Sequence, residues 1–152
     1  MSSSGPDEES GDYARPMSAG ERVLLVLLLC TVATVFVALA SVEPDPRGYG
    51  THERFGLAPC SWPVLYDMPC PTCGVTTAVS LLLHLRPVEA VLTQPFGVLT
   101  AMLGFVFLGL GSLHFWRGES LLARAAALPM AWVLGGILIS LLASWIYVIR
   151  TS

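Results

Sequence analysis

VLLVLLLCTVATVFVALASV, residues 23–42, decides what kind of fold this chain can adopt, because its twenty positions include no charged side chain. A helix needs ~20 such residues to cross the hydrocarbon layer of a bilayer, where every backbone polar group must be satisfied internally. Two further windows, 96–116 and 129–149, also lack Asp, Glu, Lys and Arg. The middle one carries glycines at 97, 104, 109 and 111, and His114 near its end. Composition agrees, since 54% of the residues are hydrophobic and only 12% charged, a balance that belongs to membrane proteins. We therefore expect an all-α integral membrane protein with three transmembrane helices.

The segment before the first span, residues 1–20, is rich in Ser, Gly, Asp and Glu and poor in aliphatic side chains. It cannot bury enough apolar surface to offset ordering, so it reads as a disordered acidic tail ahead of a membrane domain at 22–150. Ala38-Leu39-Ala40 resembles a signal cleavage site, but the apolar run exceeds the ~7 to 15 residues of a secretory signal and its leader is acidic. An uncleaved anchor is the better reading. All eight basic residues are arginines, scattered along a chain of net charge −3, which excludes a nucleic-acid-binding surface. They divide evenly across the membrane, four on each side. The short loop with Arg117 and Arg124 lies on the same side as Arg15 and Arg22, and short loops weigh most in the positive-inside rule. This favours a cytoplasmic N-terminus, with the first loop outside.

That loop, residues 43–69, holds prolines at 44, 46, 59, 63 and 69 and glycines at 48, 50 and 56, too many breakers for a regular element. Tyr49, Phe55, Trp62 and Tyr66 suit a segment lying against lipid headgroups. Next comes Cys70-Pro71-Thr72-Cys73-Gly74, then Val75, Val79, Leu82 and Leu83 at helical spacing. The pattern predicts a helix over 71–86 with Pro71 in its first turn. At 1.5 Å per residue it reaches ~24 Å, short of the ~30 Å core, so it is expected to be interfacial or re-entrant. A fourth span is the alternative. A short piece at 88–93 ends at Gln94-Pro95.

Cys-Pro-Thr-Cys-Gly-Val-Thr-Thr-Ala at 70–78, a Leu-rich helix with His84, and Gln94-Pro95-Phe96 before a span together resemble the bacterial domain-of-unknown-function 2752 family. Its pattern is Cys-Pro-x-Cys-Gly, then Thr-Arg-Ala, then Asn-Pro-Leu, with Cys60 placed like an upstream cysteine common among members. Thr77 stands where the family usually has arginine, and Gln94 and Phe96 replace asparagine and leucine. The resemblance implies a small multi-span protein of the bacterial cytoplasmic membrane and supplies no activity.

A Cys-x-x-Cys pair admits three chemistries. Cys60 in a disulfide to Cys70 or Cys73 would staple the loop, worth ~2 to 3 kcal/mol. Cys70 and Cys73, with Cys60 as shuttle, could serve as a redox-active thiol set, and a Cys73 thiol in the first turn of a helix would lean toward thiolate. Zinc could take Cys60, Cys70 and Cys73, with His52 or Asp67 as fourth ligand. His84 stands ~16 Å along the helix from Cys73, too far to join. Cys30 reads as a small buried apolar residue. No serine-histidine-acid set, carboxylate pair, phosphate loop or dinucleotide fingerprint is present, so no catalytic or cofactor-binding residues are assigned. Gly136, Ser140 and Ser144 in the last span suit helix packing. The leading expectation is an accessory or scaffolding protein whose partners are the bilayer and another membrane protein or a second copy. Membrane thiol redox and a zinc-binding loop are the alternatives.

Overall fold

The computed structural model describes residues 16–126 and 128–151. The tail expected over 1–20 lies outside the described residues as far as residue 15. Pro16 pairs with Glu119, and the start of the first helix follows at once. Helix α1 (Ala19–Ser41) opens on a capping box, in which the Ser18 hydroxyl accepts from Glu21 N–H at 3.3 Å and the Glu21 carboxylate accepts from Ser18 N–H at 2.8 Å. Two orphan donors of the helix start are thereby satisfied.

A loop with one 3-10 turn (Thr51–Phe55) leads to α2 (Trp62–Tyr66), α3 (Val75–Leu83), α4 (Pro87–Thr93), α5 (Pro95–Arg117), α6 (Leu121–Ala126) and α7 (Met130–Thr151). Among the described residues α1, α5 and α7 are long and apolar enough to cross a membrane. The protein is thus an all-α integral membrane protein with three candidate spans.

Glycines on one face of α5 explain how α1 and α5 approach. A β-carbon on Gly104 would come within 2.5 Å of the Phe36 ring, and one on Gly111 within 2.9 Å of Leu29, so each glycine is the notch that receives a side chain of α1. Phe36 then meets Phe105 edge to face at 4.9 Å, a favoured aromatic geometry. One heptad earlier, Gly97 receives α3, since a β-carbon there would lie 2.7 Å from that of Ala78. Cys30, expected to be buried, is exposed on α1. It falls off the face that meets α5, and a small apolar thiol is compatible with lipid there.

The helix expected over 71–86 is shorter at both ends. At its start, Cys73 N–H bonds to Cys70 O at 3.0 Å and Gly74 adopts φ 89°, so the motif forms a turn and the helix begins only at Val75. At its end, Arg86 N–H reaches Leu81 O at 2.9 Å and Leu85 N–H reaches Leu82 O at 3.1 Å, with Leu85 at φ 58°. This is a Schellman closure with leucine in the place glycine usually takes. Nine residues span only ~14 Å, so α3 cannot cross a bilayer. It lies instead over the ends of α1 and α5. Ser80, fully buried, donates its hydroxyl to Leu39 O at 2.9 Å, among the last carbonyls of α1 that have no helical partner. Arg86 pairs with Glu89 at the exposed tip and feels the charge of Glu43 just beyond α1.

Candidate functional site: a three-cysteine cluster

The loop between α1 and α3 is braced before any cysteine is considered. Arg47 donates to Asp45 at 3.0 and 2.9 Å and to Glu53 at 2.8 Å, and its guanidinium lies 5.0 Å from the Tyr49 ring centroid. The Arg47 hydrogen bonds hold the Asp45 carboxyl down at about 2. Thr51, fully buried, accepts from Asp45 N–H at 3.0 Å and shares a 2.8 Å hydroxyl bond with Thr77 of α3. The position where the family pattern has arginine is therefore a buried loop-to-helix tether in this chain.

Onto this frame the turn at 70–73 and the segment before α2 bring three thiols together. The Sγ atoms of Cys60, Cys70 and Cys73 all lie within 4.8 Å of one another, each residue half-buried. All four cysteines of the chain, Cys30 included, are free. A tetrahedral thiolate site with Zn–S near ~2.3 Å separates its sulfurs by ~3.8 Å. The cluster is thus of the right dimension for a soft or borderline metal ion. It opens on a hollow of about 650 Å³ lined in part by His52, Glu53, Cys60, Thr72 and Cys73. Cys73 also borders a neighbouring hollow of about 540 Å³ that includes Asp67. His52 faces the same space as the thiols, but its ring is not among the converging ligand atoms, and neither is the Asp67 carboxylate. Three of the four expected zinc ligands are brought together; the fourth position is left open.

The thiols are not equivalent. Burial pushes Cys70 up, but hydrogen bonds from the Thr72 hydroxyl, 3.3 Å away, and the Thr72 backbone, then from Cys60 and Cys73, outweigh it and set this thiol below its ordinary range. Burial, reinforced by the hydrogen bond with Cys60, pushes Cys73 up to about 12. Of the two thiols the sequence offered as thiolate, the lean toward Cys73 gives way to Cys70. It depended on a helix starting near Pro71; with the start at Val75, Cys73 lies outside the first turn and the Thr72 bonds favour Cys70 instead.

Other titratable groups stay apart from the cluster. His84 donates its Nδ1–H to Ser80 O, 2.8 Å away, and Glu89 pairs with Arg86. His114 is buried at the opposite end of α5, 3.4 Å from Glu119. Sequence reasoning read Gln94 as a helix stop and motif position but gave it no role at the cluster, where its fully buried side chain donates to Pro71 O at 3.0 Å and Cys73 O at 3.3 Å. A polar amide at a helix junction flanked by apolar segments was the available signal.

Three candidate spans, a short hairpin and a thiol cluster at one end of the bundle define a small polytopic membrane protein with a three-cysteine site. Residues 60–108 match the model of the family described as protein of unknown function DUF2752, the family the motif resembles. The match takes in the three clustered cysteines, the α3–α4 hairpin and the first half of α5. No curated protein and no solved structure gives a significant match.

Proposed function

We propose that Cys60, Cys70 and Cys73 form a metal centre, for Zn²⁺ in the first instance, that clasps the extramembrane loop of an accessory membrane protein. The observation that carries this reading is the convergence of three sulfurs within 4.8 Å from residues ten and thirteen positions apart. Thiolate ligands select Zn²⁺ or Cu⁺ over hard cations. The fourth ligand is water, or His52 after movement of the 3-10 turn, and the hollow beside it admits either. Under this reading the loop faces outside, the N-terminus is cytoplasmic, and the partners are lipid and a second membrane protein or another copy.

Elemental analysis of the full chain, purified in detergent without added chelator, tests it. About one zinc per chain, lost in Cys73→Ala and Cys60→Ala, is expected, with sulfur-to-metal charge-transfer absorption after Co²⁺ substitution. A chain that takes up no metal at micromolar Zn²⁺ overturns the reading. So does a thiol count showing two of the three oxidised as isolated, which would move the site to disulfide chemistry.

A further inference from the structure

The backbone of the cysteine turn is held from behind by side chains that belong to neither the loop nor its ligands. Gln94, at the junction of α4 and α5, uses both amide hydrogens on the carbonyls of Pro71 and Cys73. Its carbonyl oxygen accepts from the Ser144 hydroxyl of α7. Ser144 in turn accepts from Phe96 N–H at 3.0 Å. These partners fix the amide's orientation, because turning it over would aim its oxygen at two carbonyls and its NH₂ at the hydroxyl hydrogen.

Two more side chains of α7 reach the same region. Trp145 donates its indole N–H to Pro69 O at 2.8 Å, and Tyr147 donates to Leu92 O at 3.1 Å. The carbonyls of Pro69, Pro71 and Cys73 lie on both sides of Cys70 in the turn, and each is held by Trp145 or Gln94. By contrast, much of α7 further toward its start is bare, with Trp132 83% and Ile139 69% exposed, and a β-carbon on Gly135 or Gly136 would meet nothing within 4 Å. These polar bonds of α7 therefore gather at its far end, on Pro69 beside the cysteine turn and on the α4–α5 junction at Leu92, Gln94 and Phe96.

We infer that Gln94 is a positioning residue for the cysteine cluster, and that the Gln94–Ser144 pair couples metal occupancy to docking of α7. This rests on the metal reading above. Setting the sulfurs around an ion fixes the carbonyls at 71 and 73, which fixes Gln94 and its acceptor for Ser144. The coupling is reciprocal, so a helix that docks more tightly on metal binding must also raise metal affinity. Outer partners of this kind typically change metal affinity by ~10 to 100-fold when removed.

The test uses the full chain in lipid nanodiscs, with Zn²⁺ affinity measured by competition with a chromophoric chelator. Ser144→Ala, remote from every sulfur in sequence and on another helix, is expected to weaken Zn²⁺ by ~10-fold, and Ser144→Thr, which keeps the hydroxyl, to restore most of it. Gln94→Leu should lose more; should that variant fail to fold, the two Ser144 variants decide. Fluorine NMR of chain labelled with 5-fluorotryptophan reads the other direction. The Trp145 resonance, assigned with Trp145→Phe, should shift on adding Zn²⁺ to the wild type and shift less in Ser144→Ala. Cysteine-dependent Zn²⁺ binding that is equally tight in Ser144→Ala, with an unmoved Trp145 signal, overturns the coupling and leaves the metal centre standing. Absence of Zn²⁺ uptake by the wild type defeats both.

Discussion

Replacing Gly74 by alanine examines the joint on which the site depends, because this residue turns the chain from the cysteine motif into α3. Its φ of 89° is left-handed, and a β-carbon would lie 2.9 Å from the Gly48 carbonyl oxygen and 3.5 Å from the Gln94 β-carbon. The backbone conformation alone costs an alanine ~1 to 2 kcal/mol. The contact adds to this, since a backbone oxygen cannot swing aside and the loop carrying it is braced by Asp45, Arg47 and Glu53. Overpacking of this kind costs ~1 to 3 kcal/mol. Gly56 supplies the control: its φ is 77°, but a β-carbon would meet nothing within 4 Å. Gly56→Ala should therefore show only the conformational part, and Gly74→Ala should be less stable than it by ~1 to 3 kcal/mol. Unfolding by SDS titration in mixed micelles, followed by circular dichroism, measures the difference. Relief of the clash also displaces the turn at 70–73, so Zn²⁺ affinity should fall ~10-fold or more in Gly74→Ala and stay near wild type in Gly56→Ala. Equal stability and equal metal affinity in the two variants would refute the reasoning.

In metal-free chain, an aromatic disulfide reagent at pH 8 should modify Cys70 well before Cys73. Cys70 is held below its ordinary value while burial pushes Cys73 up to about 12, so the attacking thiolate is far more abundant at Cys70. Peptide mass spectrometry follows the order, and equal rates would contradict the hydrogen-bond assignment. The raised Cys73 thiol also sets a pH dependence. The folded metal-free chain holds that proton more tightly than the unfolded one, so stability is full below about pH 9 and declines as pH rises toward about 12. Cys73→Ser should flatten that decline, and an unchanged slope would exclude Cys73 as its source. Thr77→Val should destabilise the loop by ~1 to 2 kcal/mol, and Thr51→Val by more, because Thr51 also accepts from Asp45 N–H. The reverse order, measured by the same SDS titration, would show that the tether is not the hydroxyl pair.

The spans were legible because their signal is collective: twenty apolar positions outweigh any single residue, and the observed α1, α5 and α7 fall within a few residues of windows read from composition. Cys60 joining Cys70 and Cys73 was also legible, from motif spacing and resemblance. What sequence could not supply was the start of α3. Pro71 suits a first helical turn, yet Gly74 takes a left-handed conformation that ends the turn and begins the helix after it. That difference of a few residues moved the lower-pKa thiol from Cys73 to Cys70. The polar network was hidden for a related reason. Gln94 looked like a helix stop before Pro95 and Ser144 like a small packing residue, and only the antiparallel register of α5 and α7 brings them into contact.

The arrangement of braces also bears on what the thiols do. Asp45–Arg47–Glu53, Thr51–Thr77 and Gln94 hold the loop and turn without using a sulfur atom, so the thiols remain available to a ligand. A disulfide needs two of the sulfurs at ~2.05 Å and leaves the third without a role. A metal ion would use all three at separations near ~3.8 Å and displace their protons, including the one that burial holds on Cys73 to about 12. A metal bound as proposed would organise a site that other bonds already frame, unlike a zinc finger, whose structure is lost without its ion. The atoms that the proposed ion would constrain are the carbonyls around the cysteines, and those are the atoms that Gln94 and Trp145 hold.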